Sequence, residues 1–592
     1  MEDLTPRLQA AVADHQAGRL DEAVNGYREI LAAQPDHADA LHLLGLIAFQ
    51  TGRLDDALKG VERAIAINDG VAMFHANRGR ILKARGDNAA AAEAFARALR
   101  LQPGEPSTLS DLAGALVDSG DADAAMHFAC RAAELAPEMA AAHYNQGLAS
   151  ARLGETRSAR AAFEQAVAVD PAFAPAHFEL GRLYHEEGDL EKAEACYRRT
   201  LEIDAAQVEA LTNLGNVLRA TYRLEDAVAC YRQALAGAED VAAIHGNLGV
   251  ALQELGDTGG ALAAYDAALE LDPEDAETQR NRAQALLQTG RFQEGWAAFE
   301  WRWKTHHFAA IRRDWEMVQW DGGEGKDRSV LVHSEQGFGD CIQFARYLPL
   351  VAARVGRVIV ECPAPMAGLM GGVPGVHDVI AAGTPLPAFD AHVPMMSLPG
   401  LFETDLDNLP AAVPYLSVAP ETVAAWRERT GAPDEFKVGL AWKGSHMHQR
   451  NRWRSPGLMA LEPLLAVPGV RFVSLQKDDE AADLKARGLT ETVLPLGQEF
   501  RNFIDTAAAI ENLDLVIAPD TAVAHLAGAL AKPVWLVLPH VAEWRWLMDR
   551  DDSPWYPTMR LFRQETRGDW QGPVDRMAAL LAPLAAGATS SS

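Results

Sequence analysis

The stretch 513–538, LDLVIAPDTAVAHLAGALAKPVWLVL, decides the fold. Its two apolar runs, 513–518 and 534–538, are rich in Val, Leu and Ile and have the length of buried strands. Between them, 521–530 carries small and apolar residues at helical spacing, with Asp520 where an N-cap belongs. This predicts a strand–helix–strand unit whose turn lies at the carboxyl edge of a parallel sheet, the edge at which open α/β sheets bind ligands. A helix amino terminus there offers free N–H groups to a phosphate. Asp520, Thr521 and His525 are predicted to face one small volume, because positions four apart share a helix face.

Working back from this unit, KVGLAWKGSHMHQRNRWRS (437–455) reads as a strand ending in a basic loop. Lys443, Arg450, Arg452 and Arg454 crowd there with His446 and His448, a composition suited to a diphosphate or another anionic leaving group. Lys443 is foremost because it comes straight off the strand; for some of the others a solvated loop is the alternative, since alternate residues cannot all point inward. The two histidines lack third and fourth ligands at recognisable spacing, so no metal is expected. After the last strand, Arg545 stands between Trp544 and Trp546, as a phosphate ligand or as a cation–π partner. The end of the chain, 586–592, reads as a disordered tail.

Upstream, SVLVHSE (329–335) is a strand, and QGFGD (336–340) turns into a helix; alternating strands and helices imply a parallel, doubly wound sheet. Gly337 and Gly339 bracket Phe338 before Asp340 and allow a close approach by another backbone or a substrate. From spacing alone Asp340 is a helix cap, with Glu335 the second carboxylate nearby. The preceding 306–328, with Trp315 and Trp320, forms a junction with the tryptophans just before it, Trp296, Trp301 and Trp303. It is expected to dock one domain on the next and to end in a flexible glycine connector at 321–326.

Residues 1–305 are written in a period of 34. Gly45, Gly79, Gly147, Gly181, Gly215 and Gly249 hold one register, and Gly18, Gly52, Gly86, Gly120, Gly154, Gly188, Gly256 and Gly290 another. Alanines from Ala23 to Ala261 hold a third, and Tyr27, Phe95, Phe163, Tyr197, Tyr231, Tyr265 and Phe299 a fourth. The pattern resembles the tetratricopeptide repeat, with nine units: small residues let paired helices approach and the aromatic fills the gap. Stacked pairs make an α-solenoid with a concave face. Two residues before the first glycine register stand Asn77, Asn145, Asn213, Asn247 and Asn281. Each amide carries donor and acceptor and can clamp an extended peptide backbone, or bridge neighbouring repeats.

With 592 residues the chain exceeds a single core, and a net charge of −28 argues against nucleic-acid binding as its main role. Five dispersed cysteines suit a reducing compartment, and neither a signal peptide nor a membrane-length apolar run is visible. A cytoplasmic protein is expected.

The motif PDTAVAHLAGAL (519–530), and the strand–turn–Gly-Asp–helix order around Asp340, resemble the heptosyltransferase family. The resemblance implies an α/β glycosyltransferase of the GT-B type with two Rossmann-like lobes, 329–415 and 416–585. It implies Asp340 as the base that deprotonates the acceptor, and Asp520, Thr521 and His525 as donor-pocket residues; Lys443, Arg450, Arg452 and Arg545, read above from the residues themselves, are expected to join them in holding the donor. The asparagine row looks like the ladder of O-linked N-acetylglucosamine transferase, another repeat-fused enzyme. Repeat-fused enzymes of this branch include bacterial protein glycosyltransferases acting on flagellin. The expected activity is therefore transfer of a sugar, with inversion and without a bound cofactor or metal, from a nucleotide-sugar donor to Ser or Thr of a repeat-bound protein such as flagellin. A polysaccharide or lipid-linked acceptor, and a non-catalytic scaffold, are the alternatives.

Overall fold

The structure, a computed structural model, describes residues 4–313, 315–432, 435–444, 451–477 and 480–589. It divides into two compact units, Met1–Glu239 and Asp240–Ser592.

The first unit is built of antiparallel helix pairs, from α1 (Thr5–Gln16) and α2 (Leu20–Ala33), through α3 (Ala38–Gln50), α4 (Leu54–Ile67), α5 (Ala72–Ala84), α6 (Asn88–Leu101), α7 (Pro106–Ser119), α8 (Ala122–Leu135), α9 (Ala140–Arg152), α10 (Thr156–Val169), α11 (Ala174–Glu187) and α12 (Leu190–Ile203), to α13 (Val208–Ala220) and α14 (Leu224–Gly237). The predicted registers do the predicted work. A Cβ on Gly79 would lie 2.6 Å from the Phe95 ring, and one on Gly147 2.4 Å from Phe163. Ala23, Ala57, Ala91, Ala125, Ala159, Ala193 and Ala227 are fully buried where the helices meet. The other glycine register ends the first helix of each pair in the left-handed region, with φ between 74° and 91° from Gly18 to Gly188. Tyr222 takes that position in one repeat at φ 65°, a conformation that costs an L-residue on the order of 1 kcal/mol.

The second unit opens with two more pairs, α15 (Ala242–Leu255) with α16 (Thr258–Leu271) and α17 (Ala276–Gln288) with the short α18 (Phe292–Phe299). The nine helix pairs are therefore present, and the last two of them belong to the compact unit that holds the sheets, which begins at Asp240. The reason is packing. Leu287, Phe292, Trp296 and Phe299 lie in the same hydrophobic core as Val330, Phe344, Trp544 and Trp555, and Trp296 Nε1 donates to the Thr404 carbonyl at 3.1 Å.

Two parallel sheets follow. The first contains β1 (Val318–Gln319), β2 (Gly325–His333), β3 (Val355–Cys362), β4 (Asp378–Ala381) and β5 (Ala391–Pro394), in the order β1-β5-β2-β3-β4. The glycine connector is shorter than expected: β2 begins at Gly325, β1 pairs with β5, and Trp320 Nε1 donates to the Gly323 carbonyl at 3.0 Å. The second sheet contains β6 (Phe436–Leu440), β7 (Val470–Ser474), β8 (Val493–Pro495), β9 (Leu515–Pro519), β10 (Val534–Leu538) and β11 (Met559–Arg563), in the order β11-β10-β9-β6-β7-β8. A final helix, Gln571–Thr589, takes in residues 586–589 of the expected tail; 590–592 lie outside the described residues.

Chain order reverses between β2 and β5 in the first sheet and between β6 and β9 in the second. At such a switch point the connections leave to opposite sides and a crevice opens at the carboxyl edge. Asp340 follows β2, and Lys443 and Asp520 follow β6 and β9. All five cysteines are free thiols, and no described helix is long and apolar enough to cross a membrane.

Candidate active site

Asp340 sits in the first turn of the helix Phe338–Phe344, where its Oδ2 accepts from the Gly337 N–H at 2.9 Å. The carboxylate thus caps its helix, as spacing alone predicted, while Oδ1 pairs with Arg545 Nη2. Arg545 is wedged over the Trp544 ring at 4.5 Å, donates from Nε to Gln343 Oε1 at 2.6 Å and pairs through Nη1 with Glu543 at 2.8 Å. The cation–π reading of Arg545 holds, since it stacks on an indole, and its guanidinium is taken up by two carboxylates and an amide.

The helix Phe338–Phe344 packs on the helix Ala522–Ala529. Gly339 permits it: a Cβ there would meet His525 Cδ2 at 2.9 Å. His525 stacks on Trp546 with 5.4 Å between centroids, shares a 2.9 Å hydrogen bond through Nδ1 with the Tyr556 hydroxyl, and holds Nε2 3.4 Å from Asp520 Oδ1. Burial alone would raise the Asp520 carboxyl. The hydrogen bond from His525 and the charges of Arg454 and Arg545 outweigh it and hold the group well below the ordinary carboxylate range.

The N-cap of this helix is Thr521, not Asp520. Asp520 continues straight from β9, so its side chain is aimed at His525 instead of the helix N–H groups. The Thr521 hydroxyl is buried without a partner beside the free N–H groups of the first turn.

Lys443 does not join this cluster through its ammonium group, which pairs with Asp483 Oδ2 at 3.0 Å. A lysine already neutralised in this way attracts phosphate less than the sequence suggested. Arg450, His446 and His448 lie outside the described residues, as does the side chain of Arg452. Arg454 instead reaches the cluster: Nη2 donates to the Asp520 carbonyl, and Nη1 lies 3.4 Å from Glu543 Oε1. Among the described residues, no three His, Cys, Asp or Glu side chains come together as metal ligands.

Several side chains in and near the cluster had little local signal in the sequence. Glu543 keeps 42 % of its side chain exposed, yet crowding by protein atoms and the charges of Asp520 and Asp340 raise its carboxyl. Arg346 stacks over Tyr556 at 4.6 Å and donates to the Trp555 carbonyl at 2.7 Å; with Gln343 it follows Asp340 at helical spacing, the one clue available. Arg302, fully buried, pairs with Glu335 at 2.8 Å and with Glu300 at 2.6 Å. Burial pushes the Glu335 carboxyl up to about 7, and its Oε2 has no partner.

Of the asparagine row, Asn77 is buried, donating to His42 Nε2 at 2.8 Å and accepting from Arg80 at 3.1 Å. Asn145 donates to the Ser110 carbonyl at 2.8 Å. Both bonds span 35 residues, so these two amides tie neighbouring repeats together, the second of the two roles open to them. Asn281 accepts from Arg280 at 3.2 Å, and Asn213 and Asn247 are half-buried.

Fold and site together define a run of tetratricopeptide repeats followed by a parallel-sheet domain with a charged cluster at the sheet edges. The tetratricopeptide repeat family profile matches residues 8–72, 76–140, 144–208, 212–276 and 247–300. Protein FlbA of Caulobacter vibrioides is 32 % identical over 344 residues, which are 53 % of this chain and 56 % of that one; the chain spans little more than half of that relative. Among solved structures, the Cut9–Hcn1 hetero-tetramer of the APC/C is 16 % identical with a TM-score of 0.38, covering 47 % of this chain and 55 % of its own. A tetratricopeptide repeat protein from Parabacteroides merdae is 15 % identical with a TM-score of 0.37, covering 42 % and 98 %. Pseudomonas aeruginosa pilF is 20 % identical with a TM-score of 0.31, covering 34 % and 92 %.

Proposed function

We propose that the chain is a GT-B-type protein O-glycosyltransferase that moves a sugar from a nucleotide donor to Ser or Thr of a protein held by its repeats. One observation carries the reading: two parallel sheets bring their switch-point residues into one cluster, with Asp340 from the first and Asp520, His525 and Arg454 from the second. In the reaction the acceptor hydroxyl oxygen attacks the anomeric carbon as the bond to the phosphate oxygen breaks. The hydroxyl proton passes to Asp340, and the nucleotide leaves with the electron pair. Arg545, Arg454 and the N–H groups after Thr521 offer positive charge to that departing oxygen. Asp340 Oδ1 is occupied by Arg545, so Arg545 must turn toward the phosphate to free that oxygen for the acceptor hydroxyl.

The test uses the full chain. Calorimetry with ADP, UDP and CMP sugars identifies a donor, and intact-mass measurement of a co-expressed acceptor, flagellin first, reads transfer. Asp340→Asn should bind donor at least as tightly as the wild type and lower transfer by at least about 100-fold, the scale of a lost general base. Unchanged transfer by that variant refutes the role of Asp340, and no binding of any nucleotide sugar favours a scaffold.

A further inference from the structure

Three carboxylates and two guanidinium groups meet at the cluster, and they differ in how firmly they are held. Asp520 is 10 % exposed and tied to His525; Asp340 is 19 % exposed and tied to its own helix cap. Glu543 is 42 % exposed and, among the described residues, has the two arginines as its side-chain partners, 2.8 Å from Arg545 and 3.4 Å from Arg454. Its carboxylate oxygens are divided between the two guanidinium groups, Oε2 on Arg545 and Oε1 on Arg454, the way two oxygens of one phosphate group would be. Arg545 is almost wholly buried and cannot leave the cluster; Arg454 has a buried Nε without a partner.

We infer that Arg454 and Arg545 form a site for a multiply charged phosphate oxyanion, and that Glu543 is the internal counter-anion that such a ligand displaces. Among the described residues of the cluster the carboxylates outnumber the guanidinium groups, so there an incoming oxyanion competes with a carboxylate for the two arginines. Glu543 is the one that can withdraw, because it alone has solvent to move into and no bond to its own helix or to His525. The inference rests on the transferase reading only in naming that oxyanion as part of a nucleotide diphosphate; the site itself is open to any phosphate ligand of that charge. It gives Glu543 a role in specificity, since a neutral or singly charged ligand would not repay the loss of two ion pairs.

Inorganic pyrophosphate is the probe, titrated calorimetrically into the full-length chain at low ionic strength, where such contacts are least screened. Glu543→Gln is expected to bind it about tenfold more tightly than the wild type. Glu543→Asp, which keeps the charge on a shorter arm, should show a smaller gain and serves should the Gln variant misfold. Adding Arg454→Gln to either variant should abolish the gain. Equal or weaker binding by both Glu543 variants, a gain that survives Arg454→Gln, or no pyrophosphate binding by any of these proteins overturns the inference. A tenfold gain that needs Arg454, in a protein that transfers no sugar, upholds this site and removes the transferase reading. Transfer with no gain in the Glu543 variants does the reverse.

Discussion

Helices α1–α14 and α15–α18 are written in one period, and at the shared registers the same residue types do the same work: Gly147 accepts the Phe163 ring as Gly249 accepts that of Tyr265. The two sets nevertheless belong to different bodies. In the first unit the helices bury their faces on one another; in the second, Leu287, Phe292 and Trp296 are core residues of the sheet domain, and Gln288 donates to the Ala542 carbonyl at 2.8 Å, one residue before Glu543. Repeat period specifies how a helix pair packs on its neighbour. It says nothing about where a domain ends, which is set by the residues between the registers.

Truncation breaks this comparison most severely. A chain beginning at Asp240 should fold cooperatively, whereas one beginning at 306 should lose the sheet domain altogether, because it removes Trp296 and Arg302 from a finished core; circular dichroism and thermal melting of the two fragments decide it. A cooperative melt of the shorter fragment would place the boundary where the period ends. Next come single ion pairs. Arg302→Ala leaves Glu335 buried without its partner and should cost about 3–5 kcal/mol. Arg131→Ala, in the exposed pair with Glu134, should stay within about 0.5 kcal/mol in the same denaturant titration.

The buried carboxylate also sets a pH dependence. Burial raises Glu335 to about 7, above its ordinary 4.5, so the folded state holds the proton more tightly than the unfolded one. Its contribution is complete below 4.5 and is lost as pH rises through about 7, by about 3 kcal/mol at most. Melting temperatures of the wild type and Glu335→Gln should therefore diverge over that window in favour of the variant; parallel curves would show that the carboxyl is not desolvated. In the first unit, Gly147→Ala sets a methyl group against Phe163 and should cost about 1–2 kcal/mol by denaturant titration.

Most of the repeat architecture was legible because its contacts are local: a glycine and an aromatic 16 residues apart meet within one helix pair, and repetition makes the spacing visible. The strand–helix–strand unit at 513–538 was legible for a like reason, apolar runs of strand length flanking a helix. The strands β1, β4, β8 and β11 gave no signal: the first three have only two to four residues, and β11, MRLFR, alternates with arginine instead of forming an apolar run. The candidate site was half legible. Asp340, Asp520, His525 and Arg545 stand in recognisable turns, and the structure brings them together. Arg302 and Arg454 act through partners 33 and 66 residues away, and Glu543 pairs with Arg454, 89 residues upstream, separations that no spacing records: Arg302 finds Glu335, Arg454 finds the Asp520 carbonyl, and Glu543 reaches the Asp340 neighbourhood through Arg545. Lys443 was overvalued because Asp483, its actual partner, lies 40 residues downstream.

The boundary at residue 240 bears on how such a chain can change over generations. Copies of the 34-residue unit upstream of it can be gained or lost by recombination without retuning any contact beneath the indoles of Trp296 and Trp544. The final two helix pairs have no such licence: there a duplication would slide Gln288 off the loop that carries Glu543 and Arg545.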